Sequence, residues 1–198
     1  MSEKLKIQAI RPIKSLRYLN SFEIEYETIG GKKKTWELVS RQGVNRLENE
    51  IKKHQSYTDG AMMFAMNDSK DKIVMLKEYR VSAGRHIYMF PAGLIDEGES
   101  IKEASIREFK EETGMQFFPE YVEKERYVSV GIVNERVNIV YGKYSGEPSK
   151  ENQEDSEDAE ILLIDSKEAK RILEEEEVSI RSAMLLQNFF KIHPFFDE

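Results

Sequence analysis

The stretch Gly93–Met115, GLIDEGESIKEASIREFKEETGM, constrains this chain more than any other. Its acids are spaced rather than scattered. Glu99 is followed after seven residues by Arg107-Glu108, and then by Glu111-Glu112. Ser100 with Glu103 three positions on has the form of a capping box, and Gly114 suits a helix C-terminus. The spacing predicts a helix over Ile101–Thr113, about three and a half turns long. At roughly 100° per residue, Glu108 and Glu112 fall on one face with Glu111 at its edge, while Ile106 and Phe109 are expected to turn toward a core. Carboxylates so placed repel one another unless a cation lies among them. Hard oxygen donors in this pattern suit Mg²⁺, with Mn²⁺ as the alternative. Arg107, on another flank, can pair with a carboxylate and orient it. On spacing alone the run also fits a solvated acidic helix face.

The same residues carry a resemblance. The stretch resembles the Nudix box in each fixed position: Gly93, five residues, Glu99, seven residues, Arg107-Glu108, apolar Phe109, one residue, Glu111-Glu112, one residue, Gly114 and apolar Met115. Two long fixed gaps make the match specific, and its expected context is a loop leading into a helix. The resemblance implies a hydrolase of nucleoside diphosphates linked to another group. A pyrophosphate is a poor electrophile because its oxygens are negative, and bound metal ions neutralise them and activate water. It further implies that Glu108, Glu111, Glu112 and the Ala92 carbonyl hold metal, with Glu99 in support and Arg107 as a catalytic member of the box. Ala92 is carried over because Pro91-Ala92-Gly93 stands intact before the motif loop.

Three shorter stretches resemble the ADP-ribose pyrophosphatase branch of that family. In Trp36-Glu37-Leu38-Val39-Ser40-Arg41, the branch places an aromatic and an arginine that hold adenine and the diphosphate. The residue types suit those roles, since an indole stacks on a purine and a guanidinium forks onto phosphate. Trp36, the sole tryptophan, also fits a plain core anchor. Glu78-Tyr79-Arg80, at a strand end, is similar to the family's Q-Y-R, which implies substrate contact by Arg80. Ser129–Glu135 is similar to a Ser-Pro-Gly stretch that ends in a glutamate on a mobile loop, which implies that Glu135 takes the proton of the attacking water. Val130 stands where relatives carry proline, and Met89 where many carry glutamate.

Composition excludes other classes. A net charge of −7 over 198 residues argues against a general nucleic-acid-binding surface. The absence of cysteine excludes disulfides and zinc–thiolate sites. No long apolar run opens the chain, so neither a signal peptide nor a membrane span is expected, and the cytoplasm is the expected compartment. Phe22, Ile24 and Tyr26 alternate with glutamates, turn at Ile29-Gly30-Gly31-Lys32 and return over Thr35–Ser40 as a hairpin. Arg41–Ser56 reads as a polar linker. Strands are expected over Ala61–Met66, Lys72–Tyr79, His86–Phe90, Arg126–Val130, Val137–Tyr144 and Glu160–Ile164. Helices are expected over Ser166–Glu175 and Ser179–Ile192, each opened by serine, with Glu147–Glu160 as an exposed loop. His54, His86 and His193 read as ordinary structural or surface residues, Met62, Met63 and Met66 as core, and Phe189, Phe190, Phe195 and Phe196 as C-terminal packing.

The expected fold is α/β (α+β): a mixed sheet sandwiched between helices, as the Nudix resemblance also implies, after a small N-terminal antiparallel β domain. The expected division is 1–55 for that domain and 56–198 for the catalytic one. The resemblance implies Mg²⁺-dependent cleavage of ADP-ribose or a related ADP-sugar to AMP and a sugar phosphate, with GDP-mannose-type substrates or a non-catalytic nucleotide sensor as rivals. A hairpin alone is marginal in water. The branch implies a homodimer in which this N-terminal sheet crosses to the neighbouring subunit, with no nucleic-acid or membrane partner.

Overall fold

The alternation of Phe22 and Ile24 with glutamates builds β2 (Asn20–Glu27), which pairs antiparallel with β3 (Lys33–Ser40) on one side and β1 (Lys6–Ser15) on the other. The computed structural model describes residues 5–153 and 158–192. The readings for His193, Phe195 and Phe196, and part of the 147–160 loop, lie outside these residues. The expected hairpin is therefore one part of a three-stranded sheet. Sequence alternation misses β1 because only Ile10 of its ten residues is buried, and its register shifts between Ile7 and Ala9 and again between Pro12 and Lys14.

Arg41–Ser56, expected as a linker, instead contains α1 (Val44–Lys53). The segment is polar on average, but Val44, Leu47 and Ile51 recur at i, i+3 and i+7, the stripe of an amphipathic helix. Leu47 is fully buried against Ile10, Phe22 and Ile24. The sheet thus has its own helical cover.

The chain folds as two compact units, Met1–Asp59 with Glu125–Val137, and Gly60–Lys124 with Asn138–Glu198. The first is discontinuous in sequence. Its second segment contains β9 (Arg126–Tyr127), shorter than the expected Arg126–Val130, which pairs with Arg136 and Val137 at the start of β10 (Arg136–Ser145).

The second unit is built on β4 (Gly60–Met66), β5 (Ile73–Arg80), β8 (Gln116–Val122), β11 (Ala159–Ile164) and the rest of β10, in the order β11-β5-β4-β10-β8. Two short strands join it, β6 (Arg85–Met89) on β5 and β7 (Ala92–Leu94) on β4. β4 is buried on both faces, which explains its unbroken apolar run. Met62 and Phe64 face one core with α3 (Ser166–Glu175) and α4 (Ile180–Phe190), where Phe189 packs on Phe64 at 5.2 Å between ring centroids. Ala61, Met63 and Ala65 face the other core, closed by Phe109 of α2 (Ile101–Thr113) with Met115 and Phe117. The mixed sheet with helices on both faces, and the small antiparallel N-terminal sheet, are those expected from the sequence. β7 and β8 were not expected. α3 is capped by Asp165 rather than by Ser166, since the Asp165 side chain accepts from Glu168 N–H. No helix among the described residues is long and apolar enough to cross a membrane.

Because Leu47 fills the centre of the first unit's core, Leu47→Ala should lower its stability by about 2–5 kcal/mol. Urea unfolding followed by Trp36 fluorescence reports on that unit. An unchanged midpoint would show that α1 is not part of its core.

Candidate active site

The acidic helix begins and ends where its sequence directs. Ser100 accepts from Glu103 N–H at 3.3 Å, and Glu103 returns a bond to Ser100 N–H at 2.9 Å, completing the capping box. Gly114 closes the helix in the left-handed region at φ 72°, where an L side chain is strained. Within the helix, Phe109 is fully buried, but Ile106, expected beside it, is 43% exposed. Ser105, Phe109 and Thr113 form the buried row, and Ile106 lies one residue off it, about 100° round the helix.

Two carboxylates of α2 lie on the backbone of β7. Glu112 Oε2 accepts from Ala92 N–H at 3.0 Å. The Glu108 carboxyl packs on Gly93 so closely that a β-carbon there would stand 1.9 Å from Glu108 Cδ. Only glycine permits that approach, a physical reason for the first residue of the motif.

Arg107 lies among the acids. Its Nε and Nη2 donate to the two oxygens of Glu99 at 3.0 and 2.9 Å. Its Nη1 donates to Glu108 Oε1 at 2.8 Å and to Glu111 Oε2 at 3.1 Å. Nη2 also reaches the Leu94 carbonyl at 3.1 Å, binding the motif loop to the helix. Hydrogen bonding from Arg107 lowers the Glu99 pKa, and that bond to Glu99 is also the main cause of the raised Arg107 pKa. Glu108 moves the other way: burial raises its pKa, against the opposing pull of Arg107. Among the described residues, no three acidic, histidine or cysteine side chains stand grouped as a ready-made metal cage. The donors that β7 and α2 bring together are nonetheless all oxygens, and Glu108 is held partly out of water with a single guanidinium nitrogen as its ion-pair partner. That donor chemistry fits a hard divalent cation.

Arg80, at the end of β5, is held by Glu78 at 2.6 Å. Glu78 and Glu112 line one small cavity with Leu76, Ala159 and Gln153. Gln153 donates to the Glu112 carbonyl at 2.7 Å at the end of α2.

The remaining candidates lie in the first unit. Trp36, opposite Ile24 on β3, is 51% exposed and edges a cavity of about 300 Å³ with Leu47, Tyr127 and Asn134. It is therefore not a plain core anchor. Glu37 faces a different cavity, with Phe22, Val39 and Gly131, as alternation along a strand requires. Arg41 and Glu135 are brought together: Arg41 Nε donates to Glu135 Oε1 at 2.7 Å across 94 residues of sequence. Val39 N–H donates to the Ile132 carbonyl at 2.9 Å, so the segment bearing Glu135 is bonded to β3. Motif spacing gives no role to Glu78, Gln153 or the Arg46–Glu50–Asp59 group, whose bonds to the rest of the site include Gln153 to Glu112, Glu50 to Asn134 and Asp59 to Arg136, across 41, 84 and 77 residues.

Comparison with known proteins gives consistent matches. Residues 56–186 match the NUDIX domain. The chain is 27% identical over 157 residues to putative nudix hydrolase 2 of Caenorhabditis elegans, covering 75% of this chain and 67% of that protein. It is 28% identical over 138 residues to an ADP-ribose pyrophosphatase of Bacillus subtilis (strain 168), covering 66% and 69%. The fold is similar to a crystal structure of an ADP compounds hydrolase, with a TM-score of 0.71 at 20% identity over 93% of this chain and 92% of that one. With the motif complete in sequence and folded as a loop leading into a helix, the chain belongs to the Nudix hydrolase family.

Proposed function

We propose that this protein hydrolyses the pyrophosphate bond of ADP-ribose or a related ADP-sugar, with Mg²⁺, to AMP and a sugar phosphate. The observation that carries the reading is the placement of the Glu108 and Glu112 carboxylates on the Ala92–Gly93 backbone beside the Arg107 network. Similarity to the Bacillus subtilis ADP-ribose pyrophosphatase supports the substrate class. Glu108, Glu111, Glu112 and the Ala92 carbonyl hold the metal, with Glu99 in support through Arg107. When bound, it neutralises phosphate charge and activates water.

The chain's own residues supply the remainder. Trp36 stacks on the base at the edge of its cavity, while Glu37, on the opposite face of β3, lines a separate cavity and takes no part in that stacking. Arg80 and Arg41 fork onto phosphate oxygens. The water oxygen bonds to phosphorus, the bridging P–O bond breaks, and Glu135 receives the water's proton. We also propose a homodimer formed through the N-terminal sheet, whose β1 exposes Ile7 and Ile13, with Leu16 just beyond it.

The direct test is a panel of nucleoside diphosphate compounds incubated with Mg²⁺, with products resolved by chromatography. ADP-ribose should yield AMP and ribose 5-phosphate. Glu112→Gln should lower turnover by orders of magnitude with an unchanged circular dichroism spectrum, because an amide is a weaker ligand for a hard cation. Activity that survives a strong chelator, or full turnover in that variant, rejects the metal assignment.

Glu135→Gln should reduce kcat by about 10²- to 10⁴-fold, the usual worth of a general base, while KM changes far less. A kcat within a few-fold of the parent places the base elsewhere. For the assembly, light scattering should return twice the monomer mass, and Ile13→Asp should shift it toward the monomer. A parent protein that is monomeric at micromolar concentration removes the dimer.

A further inference from the structure

We propose that Asn134, Glu50, Asp59 and Arg46 are positioning residues that clamp both sequence neighbours of Glu135 and so aim its carboxylate. This rests on the reading of Glu135 as the base. The residue before it, Asn134, donates its side-chain amide to Glu50 Oε2 at 2.5 Å. The residue after it, Arg136, donates its backbone N–H to Asp59 Oδ2 at 2.9 Å, and Asp59 N–H donates back to the Arg136 carbonyl at 2.8 Å. One guanidinium joins the two acids, since Arg46 Nε donates to Glu50 Oε1 at 3.0 Å and its Nη2 to Asp59 Oδ1 at 2.6 Å. Each carboxylate therefore gives one oxygen to Arg46 and the other to the segment that carries Glu135. Tyr57 fixes the guanidinium from a further side, with its ring centroid 4.8 Å away.

These acids are interior groups. Their side chains are 3% and 5% exposed, against 19% for Arg46. Buried ions are stable only when paired and hydrogen-bonded, and a connection between two strands does not ordinarily need them. Here they lie on either side of one residue, whose own carbonyl accepts from Val128 N–H at 3.0 Å. The flanks are fixed from α1 and from the end of the N-terminal segment, while the Glu135 carboxylate is held by Arg41. Val130 and Ile132 in the same connection are 70% and 62% exposed, so the burial is confined to its end. A proton acceptor must be placed to well within an ångström, and a misplacement of that size can lower a rate about 10²-fold.

The test is Asn134→Ala, which removes one tether and leaves Glu50 paired with Arg46, so that the fold is kept. With ADP-ribose and Mg²⁺, kcat should fall about 10- to 100-fold with KM little changed. In the Glu135→Gln background the same substitution should cause no further loss, because a positioning residue acts only through the group it positions. Hydrogen–deuterium exchange should quicken over residues 128–136 and stay unchanged in α2. Glu50→Gln, which keeps an acceptor for Asn134, should lose less activity than Asn134→Ala. A parent-like kcat in Asn134→Ala, an equal loss in both backgrounds, or unchanged exchange over 128–136 overturns the clamp. Parent-like activity in Glu135→Gln alone rejects the base assignment instead, and the exchange measurement still decides whether the tether exists.

Discussion

Like charges one helical turn apart repel, and α2 carries Glu108, Glu111 and Glu112 within a turn and a half of one another. The helix holds this arrangement because Arg107 stands among them and reaches Glu99, Glu108 and Glu111 at once. The same guanidinium bonds the Leu94 carbonyl, and Glu99 Oε2 accepts from Asp96 N–H at 3.2 Å. One cation thus sets both the electrostatics of the helix and the path of the loop entering it. Gly93 is the steric counterpart, since its missing β-carbon is what lets Glu108 reach the strand.

The first unit uses the same device under different solvation. Arg46 also joins two carboxylates, but Glu50 and Asp59 are nearly inaccessible, whereas Arg107 is 31% exposed and Glu111 50%. Exposed ion pairs are weakly held and exchange partners readily, while breaking a buried pair leaves an uncompensated charge. Within the Arg107 network the pair with Glu111 is the most exposed and so the most weakly held, while Glu99 and Glu108 are 15% and 17% exposed. The Arg46 network behaves as a fixed part of its unit.

What the sequence discloses follows the range of the interactions. The bounds of α2, its capping box and the strands β2 and β3 are local, and alternation, cap chemistry and fixed gaps read them directly. Arg107 is within reach of Glu111 by helical geometry, whereas its pair of bonds to Glu99 depends on the loop before α2. α1 is obscured because three apolar residues among ten do not stand out from a polar segment until a sheet is available to receive them. β1 is obscured because its pairing has two register shifts and buries a single side chain. The site residues of the first unit are further still from local reading. Arg41 meets Glu135 across 94 residues, and Asn134 meets Glu50 across 84. No periodicity records such pairs. Motif resemblance proposes roles for some of their members without indicating that they touch.

The discontinuity of the first unit bears on the order in which the chain can fold during its synthesis. When residue 59 has emerged, β1, β2, β3 and α1 are all present, yet Glu50 and Asp59 still lack the hydrogen-bond partners supplied by Asn134 and Arg136. Closing so long a loop is entropically slow, and a nascent chain folds from its N-terminus at about 5–20 residues per second. The three strands of the sheet are present by then, but the unit around them stays open while the acidic helix and several strands of the other unit emerge. It closes only once residue 137 has been made, and the second unit, which takes in β11, α3 and α4, is completed later still.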